Sequence, residues 1–513
     1  MPTVAPLAAE TPLALAIDLG TSSVRALAAD RLGRFVEGTE TQLPYQVRAS
    51  ADGGVEADAA VLFGLMTECI DGTLGLLGRR AADVGVVGMT SFWHALMGMD
   101  AAGEPCTPVY YWADTRSGDD ATALRHEHDE AGLLDRTGCR FHSSYWPAKL
   151  RWLRRTDPGT FRRSARWVSF TEYALARLCG AGGPGVSVSM ASGTGLLDVH
   201  RLGWDAEALA ISGIGPERLS ALADLAPGGR LAAEWARRWP ALAGAPWIPA
   251  LGDGACANVG SGAVDPARVA LTVGTSGAIR LVFAPESPDW HASPKLWAYR
   301  LDRRRAVIGG AVSNGGNVTG WLWRLLGLTP ESAEMEAAAA LAPDSHGLTV
   351  LPFLAGERSP AWHDDATGVV AGLTLATGPD HLIRSFMEAA SLRLAMLYDD
   401  LRPFAAPEHQ VVANGGAILQ SPMWLQITAD ALGRPLTAMP PDDEATARGA
   451  AAMALTAAGI VPSLADLPDP AAGARVIEPD PGRHAAYRAA MERQGQLESL
   501  LFRRESSWDG TGG

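Results

Sequence analysis

Lysine is nearly missing from this chain. Its 513 residues hold Lys149 and Lys295 and no other lysine, so the basic residues are almost all arginine. No Gly-Lys pair occurs, which excludes a Walker-type phosphate loop, since that loop sets a lysine ammonium on the β- and γ-phosphates. Any phosphate must then be met by backbone N–H groups, hydroxyls, arginine or a metal. Positive charge is also short overall, and a net charge of −14 argues against a nucleic-acid or anionic-membrane surface. The five cysteines are odd in number and widely spaced, with no C-x-x-C pair, as expected for small buried thiols in a reducing compartment. No G-x-S-x-G elbow is present, which weakens a serine-hydrolase reading. Residues 1–12 have no basic start and no long apolar core, so no secretory signal is visible, and the alanine-rich stretch 445–461 is interrupted by Arg448 and too short for a membrane span. A cytoplasmic protein is expected. With 47% hydrophobic and 19% charged residues, the length suits two to four ordinary globular domains.

What the chain does have is a repeat. Gly-Thr-Ser occurs as Gly20-Thr21-Ser22 and as Gly274-Thr275-Ser276, about half the chain apart, each between two apolar runs. Such a pattern predicts strand, tight turn and strand. Glycine lets the backbone approach an anion, and consecutive N–H and hydroxyl groups donate to phosphate oxygens. Two hairpins of this kind in two half-chains predict two related domains facing one phosphate-bearing ligand. Only the first has an acid in its strand, Asp18, so a metal would be held from one side. Either hairpin alone is better read as an ordinary turn, and it is the matched pair that favours phosphate binding.

Further along, 58–77 has apolar residues at helical spacing and 84–89 is a buried-type strand leading to Trp93-His94. Strands are expected at 247–251, 306–310, 348–353 and 411–413, and helices after Asn314-Gly315-Gly316-Asn317, over 381–401 and over 444–458. Alternating strands and helices imply layered α/β domains, with a boundary near residue 258. Residues 506–513 read as a frayed end.

Three groups of residues carry chemistry. Gly252-Asp253-Gly254 frees one carboxylate at a strand end, where it can take the proton of a hydroxyl attacking phosphorus; a turn Asp between glycines is the plain alternative. Gly252, Gly254 and Ala257 also match G-x-G-x-x-A. A dinucleotide site is disfavoured, because 270–280 lacks the acid expected about 20 positions on. Trp112 to Arg116, with Trp93 and His94, combines aromatic rings with polar groups of both signs, as a polyhydroxylated ligand requires. His126-Glu127-His128-Asp129 resembles a metal cluster, but histidines two apart diverge on a helix, so a solvated helix is expected.

Taken together, these segments resemble the FGGY family of carbohydrate kinases, from about Leu13 to about Gly459. The likeness is carried by Ile17 to Ser23, Gly252-Asp253-Gly254, Val273 to Ser276, Gly356 to Pro360, Asn414-Gly415-Gly416 and Ser421 to Trp424. The run from Gly368 to Glu388 follows the family's second signature, with Phe386 where a smaller residue is usual. The first signature, around Lys149, is broken by Trp146 where Pro, Ser or Thr is usual. The resemblance implies an α/β fold of two duplicated, actin- and hexokinase-like (ribonuclease H-like) lobes with ATP and sugar in a central cleft. It implies a sugar and magnesium domain over 13–258 and a nucleotide domain over 259–490. Asp253 is similar to the family's base and Asp18 to the residue that positions Mg2+. Thr21, Ser22, Arg25, Gly274 and Thr275 match phosphate-side positions, Gly316 a nucleotide contact, and Gly415 with Gly416 the adenosine loop. Trp93, His94, Asp114 and Arg116 match sugar-side positions. Trp112 to Ser117, Ser192 to Asp198 and Trp204-Asp205 are most similar to gluconokinases, with xylulokinases second. The partners implied are ATP and a sugar or sugar acid, without nucleic acid or membrane; a homodimer is compatible. If the substrate is gluconate, Arg116 is the expected partner of its carboxylate, with pairing to Asp119 or Asp120 as the alternative. The rival classes are a non-catalytic sugar sensor, against which Asp18 and Asp253 both argue, and an NAD-linked dehydrogenase.

Overall fold

The computed structural model describes residues 3–180, 183–363, 366–440 and 444–502; the stretch 506–513, expected to fray, lies outside them. Two compact units emerge: residues 1–266, 281–308 and 442–472 form the first, and 267–280, 309–441 and 473–513 the second. Residue 258 falls inside the helix Asp253–Gly260, and the first break between units follows at 266.

The first unit is built on a twisted sheet whose central strand is Leu13–Leu19. It pairs antiparallel with Ser23–Ala29 and parallel with Val84–Ser91, which in turn pairs parallel with Leu251–Gly252. Apolar residues run through all three longer strands, as expected for strands buried on both faces, and nearly every position is buried. The helix Ala59–Leu77 is started by the Asp58 side chain, which accepts from two N–H groups of its first turn. Thr73 and Cys69 of this helix bond to Ala26 O and Val24 O of the sheet. Among the described residues, Ala59–Asp83 alone is long and apolar enough to cross a membrane, by length and composition.

Small residues bring two further helices close. A Cβ on Gly88 would lie 2.5 Å from Ala450 O, and one on Gly449 1.9 Å from Cys256 O. The alanine-rich helix Ala445–Ala457 therefore lies directly on the strand Val84–Ser91 and on Asp253–Gly260, a separation that larger side chains would forbid.

The second unit repeats the motif. Arg268–Val273 turns through Gly274 to Ser276 into Gly277–Phe283, and its parallel neighbour is Gln410–Asn414. Beyond lie Leu436–Ala438, parallel, and Arg475–Ile477, antiparallel. The helices Gly316–Leu326, Pro379–Leu401, Pro422–Leu432 and Pro481–Leu501 belong to this unit. Several expected elements are shorter or differently bounded. The 247–251 strand is reduced to Leu251–Gly252, with Trp247 making only isolated bridges to Val87 and Gly229, and 348–353 is reduced to Thr349–Leu351. The expected single helix over His126–Asp129 is not formed: one helix ends at Glu127, and Asp129 caps the next by accepting from Gly132 N–H.

Candidate active site

In the first unit, Asp18 sits near the end of its strand, opposite Arg25 and beside Thr90 in register. Burial pushes its carboxyl up to about 7; Arg25 opposes that shift and the charge of Asp253 adds to it. Two carboxylates, one on a strand and one at the start of a helix, thus feel one another. Asp253 is the first residue of its helix, where an acid suits the helix dipole, and its Oδ1 accepts from Gly254 N–H at 2.7 Å.

The flanking glycines have a cause the sequence did not reveal. A Cβ on Gly252 would fall 1.9 Å from the Trp93 indole, one on Gly254 2.7 Å and one on Gly193 2.5 Å. Trp93 is seated in a nest of three glycines and pinned by its Nε1, which donates to Ser189 O at 2.9 Å. His94 adopts a left-handed backbone, φ 71°, a costly conformation for a non-glycine residue. Its Nδ1 lies 2.5 Å from Gly193 O, and its ring packs edge-on against Tyr145 and Tyr299. The hydroxyls of those tyrosines bond to each other at 2.6 Å. Tyr145, Trp297 and Tyr299 were not singled out from sequence; the signal was Trp297-Ala-Tyr299, two rings at strand spacing on one face, and they stack at 4.4 Å. Trp146, the departure from the first signature, opens the helix Trp146–Thr156 and donates through Nε1 to His94 O at 3.2 Å, with its own N–H on Thr194 O. The substitution thus supports the Trp93–His94 segment.

Asp114 and Arg116 do come together, but with each other. The Arg116 guanidinium bonds both Asp114 oxygens and Glu56 Oε2, and lies over the rings of Tyr110 and Trp152. Asp114 also accepts from Val55 N–H. The partners expected from sequence, Asp119 or Asp120, are not used; Asp120 pairs with Arg155 and Arg151. Two carboxylates already engage Nε and Nη2 of its planar donor fork, so a third has less to gain. We therefore expect Arg116→Gln to lower kcat/KM equally for charged and neutral substrates, as loss of an Asp114 support; a selective loss for charged substrates would restore the original expectation. Arg25 is likewise ion-paired, to Glu40 and Glu444.

Lys149 lies buried beneath this loop and donates to Asp114 O at 3.3 Å and to Ser143 O. Burial pulls its ammonium down to about 7. A lysine depressed in the fold binds fewer protons than in the unfolded chain between about pH 7 and its ordinary value near 10.5, so stability should rise with pH across that window. Denaturant melts of the wild type and Lys149→Met at pH 7, 8 and 9 should diverge in the wild type's favour, by at most about 1.4 kcal/mol per pH unit. A constant difference would contradict the shift.

In the second unit the hairpin is locked by glycines from two other segments. Gly316 N–H donates to Gly274 O at 2.7 Å and Asn317 N–H to Thr275 O at 3.1 Å. A Cβ on Gly315 would meet Ser276 at 2.8 Å, one on Gly316 the Gly274 carbonyl at 2.7 Å, and one on Gly415 the Val273 carbonyl at 2.5 Å. Gly415 also has φ 97°. Gly274, Thr275, Gly316, Gly415 and Gly416 thus gather in one place. In the first unit, Gly20 N–H bonds Ser23 O at 3.0 Å, with Thr21 and Ser22 exposed at the turn.

One other cluster among the described residues offers metal-type donors, Asp344, His346 and Glu388. Its donors are already committed. Glu388 accepts from Arg384, Tyr487, His346 and the Asp344 N–H, while His346 Nδ1 accepts from Leu348 N–H.

Two duplicated α/β units, one with a half-buried acidic pair and the other with a glycine-locked hydroxyl hairpin, have the architecture of the two-lobed sugar kinases. Solved structures agree: xylulose kinase from Lactobacillus acidophilus superposes with a TM-score of 0.86 at 24% identity, over 95% of this chain and 98% of that one. Gluconate kinase from the same organism gives 0.84 at 24%, with the same coverage. The N-terminal domain of the FGGY family of carbohydrate kinases matches residues 13–260 and its C-terminal domain residues 269–458. The chain belongs to that family and is an ATP-dependent carbohydrate kinase. Gluconokinase from Bacillus licheniformis is 28% identical over 88% of this chain and 89% of its own length. Glycerol kinase 1 from Pseudomonas aeruginosa is 30% identical over 88% and 92%.

Proposed function

We propose that the chain transfers the γ-phosphoryl group of ATP to a terminal hydroxyl of gluconate. The observation that carries this reading is the surroundings of Asp253. The Ser192–Asp198 segment, most similar to gluconokinases, packs through Gly193 on Trp93 and His94 and through Thr194 on Trp146, and Trp93 in turn packs on the glycines either side of Asp253. Trp204-Asp205 carries less weight, because Asp205 caps a helix and pairs with Arg136. Gluconokinases from two Bacillus species, 28% and 27% identical over 88% of this chain, support the choice. ATP as donor supports a cytoplasmic location.

In this reading Asp253 takes the proton of the attacking hydroxyl as that oxygen bonds to the γ-phosphorus and the bond to the ADP oxygen breaks. Trp93, His94 and Asp114 orient the hydroxyl-bearing chain. Within the second unit, Gly274, Thr275, Gly316, Gly415 and Gly416 are the proposed nucleotide contacts; within the first, Thr21 and Ser22 are proposed phosphate-side donors. Asp18 fits a magnesium ligand: it is a hard oxygen donor whose burial and acidic neighbour disfavour its charge until a cation is near. When bound, Mg2+ would neutralise charge on the phosphate oxygens. Phosphorus NMR of the product should show one phosphate monoester, on the terminal carbon distant from the carboxylate. An acyl phosphate or free phosphate alone would refute the assignment.

Engagement of Arg116 by Asp114 and Glu56 favours a second reading, a neutral ketopentose such as xylulose, because it occupies the expected carboxylate receptor. For the nucleotide side, Thr275→Val should raise KM for ATP about tenfold, as for loss of one or two hydrogen bonds, with KM for the sugar within twofold. An unchanged KM for ATP would remove Thr275 from the site.

A further inference from the structure

The Gly356-Glu357-Arg358-Ser359-Pro360 loop has no role in the chemistry above, yet it is held by a buried ion-pair triad. Arg393, inside the helix Pro379–Leu401, donates Nε and Nη2 to Glu357 Oε1 at 3.0 and 2.9 Å, and Nη1 and Nη2 to both oxygens of Glu498 at 2.5 and 3.0 Å. Its guanidinium lies over the Phe353 ring, 5.1 Å from the centroid. Glu498 comes from the last helix, Pro481–Leu501, which lies beyond the 269–458 stretch matched to the family's C-terminal domain. That helix is fixed further by Tyr487 on Glu388 and by Gln494 Nε2 on Val350 O at 2.8 Å.

The loop's other contacts lead to the hairpin. Asn314 Nδ2 donates to Gly356 O at 2.8 Å, and Asn314 Oδ1 accepts from Ala355 N–H at 3.1 Å. Ser359 N–H bonds Ala311 O on the strand that runs into Asn314. The next residues, Gly315 to Asn317, make the bonds that seat Gly274 and Thr275. Every member of this chain of contacts belongs to the second unit.

We propose that Glu357, Arg393 and Glu498 are positioning residues for the nucleotide hairpin, acting through Asn314 and the Gly315–Gly316 turn. The proposal rests on reading that hairpin as the phosphate site. Buried ion pairs are poor sources of stability compared with apolar packing, and what this one supplies is a fixed loop. Planar arginine spans the two acids, and its fork tolerates little rotation, so the loop, Asn314 and the turn are held in one arrangement. Glu357 Oε2, buried and without a hydrogen-bond partner among the described residues, leaves room for an amide in its place.

Calorimetric titration of Mg-ATP into full-length protein tests this without a sugar. Glu357→Ala and Asn314→Ala should each weaken ATP binding about tenfold, and in separate turnover assays KM for the sugar should stay within twofold. Glu357→Gln should restore binding to within twofold of wild type, and the Glu357→Ala, Asn314→Ala double variant should lose no more than the worse single variant, since both break one path. Thr275→Val is the control. If it weakens ATP binding and folded Asn314→Ala does not, or if the double variant's losses multiply, the positioning proposal fails while the site reading stands. If Thr275→Val itself leaves ATP binding unchanged, the site reading fails first. Asn314→Ala, outside the buried triad, keeps the test decisive should Glu357→Ala not fold.

Discussion

Asp253→Asn should cut kcat by about 10²-fold or more while Mg-ATP binding stays within twofold, because the amide keeps the size of the carboxylate but cannot take the hydroxyl proton. The helix start and the Gly254 N–H contact survive the change, since the amide oxygen accepts the same bond. Circular dichroism and melting temperature should therefore remain near wild type. Rate and pH profile should both alter, as removal of a proton acceptor makes the remaining rate depend on solvent base. Near-normal turnover in a folded Asn variant would remove Asp253 from the chemistry.

Gly252→Ala should be nearly as damaging, for a steric reason. The added methyl would stand 1.9 Å from the Trp93 indole, and the indole has no free direction because Gly193 and Gly254 also touch it. Overpacking of this kind costs about 1–3 kcal/mol where neighbours give way. Displacement of the residue beside Asp253 by about an ångström can cost about 10²-fold in rate. We expect kcat/KM to fall about 10²-fold. The diagnostic is compensation: Trp93→Leu in the Gly252→Ala background should regain stability relative to Gly252→Ala alone, although Trp93→Leu destabilises the wild type. Strictly additive losses would show that Gly252 is required for some other reason.

The repeat of Gly-Thr-Ser was enough to read two related α/β units, because strand, turn and strand are local and their residues lie together in sequence. The parallel neighbours Val84–Ser91 and Gln410–Asn414 were also legible as apolar runs. What the sequence concealed was long-range. No local pattern links Gly252 and Gly193 to Trp93, or Gly415 to Val273, so their glycines read as turn formers when they are spaces for a ring and a carbonyl. Arg116 beside Asp114 was visible; that Glu56 would share its Nη2 was not, since Glu56 arrives from a strand that pairs with Val109–Tyr110. Trp146 read as a defect in a signature, and its indole instead holds the backbone of His94.

The proposed phosphoryl transfer from ATP to gluconate is tested most directly by kcat/KM from ADP release with gluconate, xylulose, ribulose, glycerol, fuculose and rhamnulose under one set of conditions. Magnesium-dependent ADP release is expected, with kcat/KM for gluconate at least about tenfold above every other substrate, a margin worth about 1.4 kcal/mol of transition-state binding. A preference for xylulose or glycerol, or ADP release that no substrate accelerates, would contradict it.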